Sequence, residues 1–359
     1  ILKMDKQTKI SQFLRRKNII FSIKRYGIVA LGAMAQGLFA SLLIGTIIST
    51  LGEQLNIAIL IEIGTYAKNA TGPAMAVSIG YALQSPPLVL FSLVAVGGAA
   101  NQLGGAGGPL AVFFASVLAA EVGKVVSKET KIDIIVTPFV TIAIGVLFSI
   151  GCAPAIGTAA SSIGAAIMWA TELQPFFMGI VVSVLVGIAL TLPISSAAIC
   201  AALNLTGLAG GAAVAGCCAQ MVGFAVMSFR ENKWGGLAAQ GLGTSMLQMG
   251  NIVRNPRIWI PPTIAAAICG PIATCIFQLQ MNGAAIASGM GTCGLVGQIG
   301  VYTGWITDIN NGVKTAITTW DWTGLILISF ILPAVITYFL SLYFRKKQWI
   351  RPNDLKLDL

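Results

Sequence analysis

The apolar residues of this chain come in long unbroken runs, not in the alternating or one-faced patterns of a soluble fold. Runs at 26–50, 70–84, 86–102, 107–123, 133–153, 156–172, 175–194, 206–228, 259–279 and 322–344 each approach the length needed to cross a bilayer as a helix. Ser85-Pro86-Pro87 separates the second run from the third, because proline disfavours helix in the residue before it. Residues 51–69 carry Glu53, Glu62 and Lys68 in an amphipathic stretch expected on the outer side. Residues 234–250 are too polar for a lipid-facing span, 281–303 read as re-entrant, and 304–321 as an outer loop poor in cations. The pattern predicts an all-α integral membrane protein of about ten transmembrane helices in one bundle, with re-entrant Gly-rich hairpins.

Composition leads to the same class. Of 359 residues, 56% are hydrophobic and 9% charged, against roughly 25% charged in a soluble domain. The charge that exists is concentrated. Lys3, Lys6, Lys9, Arg15, Arg16, Lys17, Lys24 and Arg25 face a single acid, Asp5, before the first span. Arg345, Lys346, Lys347, Arg351 and Lys356 follow the last one. Cations beside a span stay in the cytoplasm, so both ends are expected inside and the crossings even in number. Lys124, Lys128 and Lys131 fall after four crossings, and Arg230, Lys233, Arg254 and Arg257 after eight, which agrees. Residues 1–25 read as a basic cytoplasmic segment able to form an amphipathic helix, 26–345 as the membrane domain and 346–359 as a cytoplasmic tail. Basic tails also suit nucleic acid, but beside a span anionic membrane lipid is the simpler partner.

With no histidine in the chain, the commonest general base and metal ligand are absent, and a Ser-His-Asp triad is impossible. The seven cysteines form no C-x-x-C pair, and no Walker-type loop occurs, so no catalytic residue, metal or cofactor is expected. Function is expected in two glycine-dense segments, Gly97–Pro109 and Asn282–Gly300. Irregular backbone at membrane depth is tolerated only where protein or a wet cavity surrounds it. Asn101, Gln102, Asn282, Thr292 and Gln298 in these segments suit hydrogen bonding to a hydroxyl-rich solute. The alternative is close helix packing through small residues, which accounts well for 209–216. Glu121, at the end of an apolar run, is a candidate solute or proton ligand, or a simple partner of Lys124 or Lys128. Glu62 and Glu172 are weaker candidates, and Asn204 and Gln220 fit interhelical glue as well as ligand contact.

Several stretches together resemble one family. Gln84–Ser92, Leu103–Pro109, Ala120–Val126, Thr130–Pro138, Asn255–Pro262, Cys269–Ile272 and Gly289–Gln298 are similar to the enzyme-IIC-like membrane family of the bacterial phosphotransferase system, which includes proteins described as toxin regulators of the PfoR type. The resemblance covers roughly residues 26–345. It implies a sugar-permease bundle in the bacterial plasma membrane, a homodimer, and a soluble IIB-type protein acting in trans. In sugar-phosphorylating relatives a carboxylate and often a histidine sit near the sugar hydroxyl that receives phosphate. This chain lacks the histidine. Three functions compete: a permease for a small polar solute such as a carbohydrate, a sensor that binds solute and signals to a cytoplasmic partner without transport, and a membrane scaffold. The amide-bearing glycine segments weigh against the scaffold; uptake separates the first two, and the permease is the function expected.

Overall fold

The computed structural model describes residues 11–357, so Lys3, Asp5, Lys6 and Lys9 of the basic N-terminal segment lie outside the described residues. From Lys24 onward, fourteen helices are numbered among the described residues. They are α1 (Lys24–Leu55), α2 (Ala58–Asn69), α3 (Thr71–Ala82), α4 (Pro87–Gly104), α5 (Gly108–Val126), α6 (Asp133–Thr171) and α7 (Pro175–Thr191). The rest are α8 (Ser196–Ala202), α9 (Gly207–Met227), α10 (Phe229–Ala238), α11 (Met249–Arg254), α12 (Pro256–Ile276), α13 (Val296–Asn310) and α14 (Thr319–Lys346). Six helical stretches are long and apolar enough to cross a membrane: α1, α4 and α5 taken together (Pro87–Val126), α6, α9, α12 and α14. Their outward faces carry large apolar side chains, among them Phe91, Phe139, Leu147 and Phe339. An exposed apolar surface of that extent needs a nonaqueous neighbour.

The helices do not match the ten expected runs one to one. The runs 133–153 and 156–172 form one continuous helix of 39 residues, α6, with Pro138 and Pro154 inside it. At 1.5 Å per residue it is roughly 58 Å long, well beyond a bilayer core. Pro154 removes one backbone donor without ending the helix, as transmembrane helices tolerate.

The chain divides into two compact units. The first holds residues up to Ser41 and from Asn69 to Gly157. Here α4 and α5 form a helical hairpin. The Ser85-Pro86-Pro87 break falls where expected, with Pro86 extended and Pro87 opening α4. The chain turns back over Gly105–Gly107, where Gly105 takes φ +50°, a left-handed value that disfavours any β-carbon. The first glycine-dense segment is therefore less irregular than its composition suggests, since Gly97–Gly104 stay helical. Gly97 serves packing: a β-carbon on it would sit 2.3 Å from the Gly72 carbonyl oxygen of α3.

The second unit holds Leu42–Lys68 and Thr158 onward. Helix α9 is its axis, almost wholly buried and rich in Gly, Ala and Cys. It packs against α7, α12 and α14. A β-carbon on Gly216 would lie 1.8 Å from the Ser183 carbonyl oxygen, so the small residues of 209–216 permit close helix approach. The core of this unit joins Val214, Ala215 and Cys218 of α9 to Cys269, Met281, Val301, Trp305 and Ile328. Between α12 and α13 the chain is mostly irregular, and paired backbone bonds between Gly207 and Met281 tie it to the start of α9.

At one end of the second unit the tail after α14 is fastened by amides. Asn232 donates to the Leu355 carbonyl (2.7 Å) and accepts from the Leu357 N–H (2.8 Å). Gln248 donates to the same Leu355 carbonyl, Asn251 to that of Lys356 and Asn255 to that of Trp349. Ile350 and Leu355 complete an apolar cluster with Phe224, Ile252, Ile258 and Phe344. Arg345 holds Glu231 through two bonds, of 2.8 and 3.1 Å.

Candidate functional site

The six candidate residues fall in two groups. Asn101, Gln102 and Glu121 belong to the first unit, and Asn282, Thr292 and Gln298 to the second.

Within the first unit, Asn101 and Glu121 do not converge. Asn101 lies against Gly108 at the hairpin turn, while Glu121 is thirteen residues further along α5, roughly 20 Å at helical rise. Gln102 is exposed beside the turn. Glu121 is buried and its carboxylate lies 2.9 Å from Lys124 Nζ. Lys124 in turn donates to the carbonyls of Asn18 (3.0 Å) and Leu83 (3.2 Å), and Arg25 donates to the same two carbonyls. The Asn18 side chain bonds Gln84 and Arg25. Arg16 and Lys17 pair with Glu129 in the loop after α5. These bonds give Glu121 a concrete local role. It neutralises a buried lysine that fastens the segment 11–18 to the ends of α3 and α5.

Within the second unit, two of the three candidates do converge. Gln298, in the first turn of α13, donates to Ser329 Oγ (2.9 Å) and Cys218 Sγ (3.2 Å). Thr292 donates to Met221 Sδ (3.6 Å). Cys218 and Met221 are three residues apart on α9, so both polar side chains meet one face of that helix. Thr292 rides on irregular, largely buried backbone, with 3₁₀ turns at Ala285–Gly289 and Cys293–Leu295 and Gly291, Gly294 and Leu295 all at positive φ, and Gln298 follows it in α13. Ser196 of α8 donates to the Gly289 carbonyl (2.8 Å), and the Cys217 thiol faces the Ser288 carbonyl (3.8 Å). Glycine at 291 is required twice over. Its φ is +55°, and a β-carbon there would meet Cys217 at 2.6 Å.

One polar atom in this region is left over. Gln298 Oε1 is buried and has no hydrogen-bond partner among the described residues. A carbonyl oxygen kept from water without a donor costs about 1–3 kcal/mol, so a group that donates to it gains that amount back. Asn282 sits apart from this pair, donating to Asp308 Oδ2 (2.8 Å) and Gln280 Oε1 (3.1 Å).

Gln220 is used as glue. Its Oε1 accepts from Trp259 (2.9 Å) and Thr191 (3.2 Å), and its Nε2 donates to Thr263 (3.3 Å), joining α7, α9 and α12. Sequence reasoning missed Ser329, which supplies the acceptor for Gln298. A serine inside an apolar run carries little signal, since serine and threonine can bond to their own helix.

The phosphotransferase system EIIC family matches residues 28–357 of the chain. No curated relative and no solved structure gives a significant match. The match spans both units and includes the fastened tail. The chain thus belongs to the phosphotransferase system EIIC family and is a multi-pass membrane protein of the transporter type.

Proposed function

We propose that this protein is a permease for a small, hydroxyl-rich solute of the carbohydrate class, working as the membrane subunit of a phosphotransferase system. It contributes the membrane passage and the solute contacts. Any phosphoryl group comes from a soluble IIB-type protein in trans. Both basic ends face the cytoplasm of a bacterial cell, and two copies assemble as a homodimer.

The observation that carries this reading is Gln298 Oε1, a buried acceptor without a donor, in the first turn of α13 directly after irregular backbone inside a membrane unit. Thr292 offers a hydroxyl to the same face of α9. Donors and acceptors fixed on a packed scaffold, with a few of them unspent, are what recognition of a polyol requires. Asn101 and Gln102 at the α4–α5 turn are the corresponding amides of the first unit, with Glu121 at that hairpin's other end. Asn282 acts through the side chains it orients.

Uptake into proteoliposomes tests the proposal. Purified protein is reconstituted and offered radiolabelled neutral sugars and sugar alcohols, with and without cytosolic phosphotransferase components. Saturable accumulation of at least one of them is expected. Binding without accumulation under either condition would replace transport by sensing, and neither binding nor uptake would overturn the proposal.

A further inference from the structure

A cavity of about 340 Å³ opens at one end of the second unit. Its place in the membrane follows from two helices. Helix α12 begins beside Asn255, which bonds the tail at Trp349, and ends at Ile276. Helix α14 runs the other way, from Thr319 to Lys346. Phe277 follows α12, and its ring lies 4.7 Å from that of Trp320 at the start of α14. The cavity lies at this junction, at the opposite end of both helices from the basic tail.

The walls combine flat apolar faces with planar hydrogen-bonding groups. Trp320 is 54% exposed. Gln278, Gln280 and Asp308 supply amides and a carboxylate. Asn282 occupies Asp308 Oδ2 at 2.8 Å, while Oδ1 has no hydrogen bond among the described residues. Lys314 is already spent on Asp321, at 2.7 Å. The lining acids are Asp308 and Asp321 and the lining base is Lys314, so the cavity carries one net negative charge.

Gln278 lines the cavity at the end of α12. Its φ is +48°, in the left-handed region, directly after α12. Glycine takes that conformation freely at a helix end, and glutamine does not. The same left-handed turn recurs after other helices, at Asn56, Gln84 and Gln348, so it is the side chain's place on the cavity wall that brings Gln278 into the site.

We propose that this cavity is a binding site for one uncharged saccharide or polyol, captured before it passes through the protein. Its apolar C–H face stacks on Trp320, and its hydroxyls bond to Gln278, Gln280 and Asp308. The excess of acid rejects solutes carrying carboxylate or phosphate, lipid headgroup phosphate included. Asn282 is a positioning residue that holds Asp308 and Gln280. The proposal rests on the permease reading and extends it to a second site and a charge class.

The test is titration calorimetry on full-length protein in nanodiscs. The probes are glucose, N-acetylglucosamine, mannitol and maltose, with gluconate as the anionic comparator. At least one neutral probe should bind saturably, and gluconate should not compete. Trp320→Ala should weaken that binding tenfold or more. Gln278→Gly should weaken it similarly while leaving thermal stability unchanged or higher, because the strain is relieved; a merely structural role predicts no loss of binding. Absence of saturable binding by every neutral probe up to ~10 mM, equal binding of gluconate, or binding untouched by both variants would overturn the proposal. The permease reading fails separately. Uptake that continues with unchanged KM in both variants removes the cavity and keeps the permease, whereas probe binding lost in the variants without any wild-type uptake does the reverse.

Discussion

At the scale of single residues, membrane burial makes an unpaired polar atom costly, and Gln298 Oε1 is one of several such atoms among the described residues. Gln220 on α9 has its partners on α7 and α12 and is structural. Gln298 has donors satisfied and its acceptor free. The substitution Gln298→Met keeps volume, deletes the unpaired carbonyl and deletes the bond to Ser329. Stability should therefore stay within about 1 kcal/mol of wild type or rise, while solute uptake falls at least tenfold. Thermal melts beside uptake rates decide this. Glu129 makes a second prediction, outside the membrane. Hydrogen bonding from Lys17, reinforced by Arg16, holds its carboxyl below the usual carboxylate range. A depressed folded value stabilises the docked segment above the ordinary carboxylate pKa and loses that support as pH falls below about 4. Protection of amides 11–18 from hydrogen exchange, taken relative to the intrinsic rate at each pH, should fall on acidification, and Glu129→Gln should lower it already at pH 7. Glu121 shows how far sequence reaches here. Both readings, pairing with Lys124 and a solute role, were visible in Ala120-Glu121-Val122-Gly123-Lys124, and the 2.9 Å ion pair gives physical form to the first. The carbonyls of Asn18 and Leu83 that Lys124 also holds carry no sequence signal, because every residue has a carbonyl.

At the scale of elements, apolar periodicity and proline placement were legible, and backbone continuity was less so. The Pro86-Pro87 boundary and the α4–α5 hairpin follow directly from the chain. The continuity of α6 through Pro154 does not, since proline ends a helix in water more often than beside lipid. Glycine density misled at Gly97–Gly104, where the residues are helical, and informed at Gly289–Gly294, where they are not. The difference is the neighbour: Gly97 faces another helix backbone, while Gly291 takes a left-handed φ. The fastened tail was invisible to pattern reading, because Asn232, Gln248 and Asn251 recognise backbone groups and not side chains. Asn232→Ala removes two bonds to one short segment. It should release residues 352–357, raising their hydrogen exchange, and cost about 1–3 kcal/mol of stability. Unchanged protection of the tail would mean that Ile350 and Leu355 alone hold it.

At the scale of the whole molecule, the class of the protein was the most legible feature, because a 9% charged chain has no means of making a soluble surface. Membership of the EIIC family over 28–357 agrees with that class and with a transporter-type role. On the permease reading, the buried segment ahead of α13 and the first turn of that helix border a polar space that solute enters. Thiol labelling at position 298 measures this most directly. Gln298→Cys is made in a background with the seven native cysteines replaced, reconstituted, and exposed to a small charged, membrane-impermeant thiol reagent. The account predicts labelling in the folded protein, slowed by a transported sugar. Labelling only after denaturation would mean that the position is dry and sealed, and would contradict it.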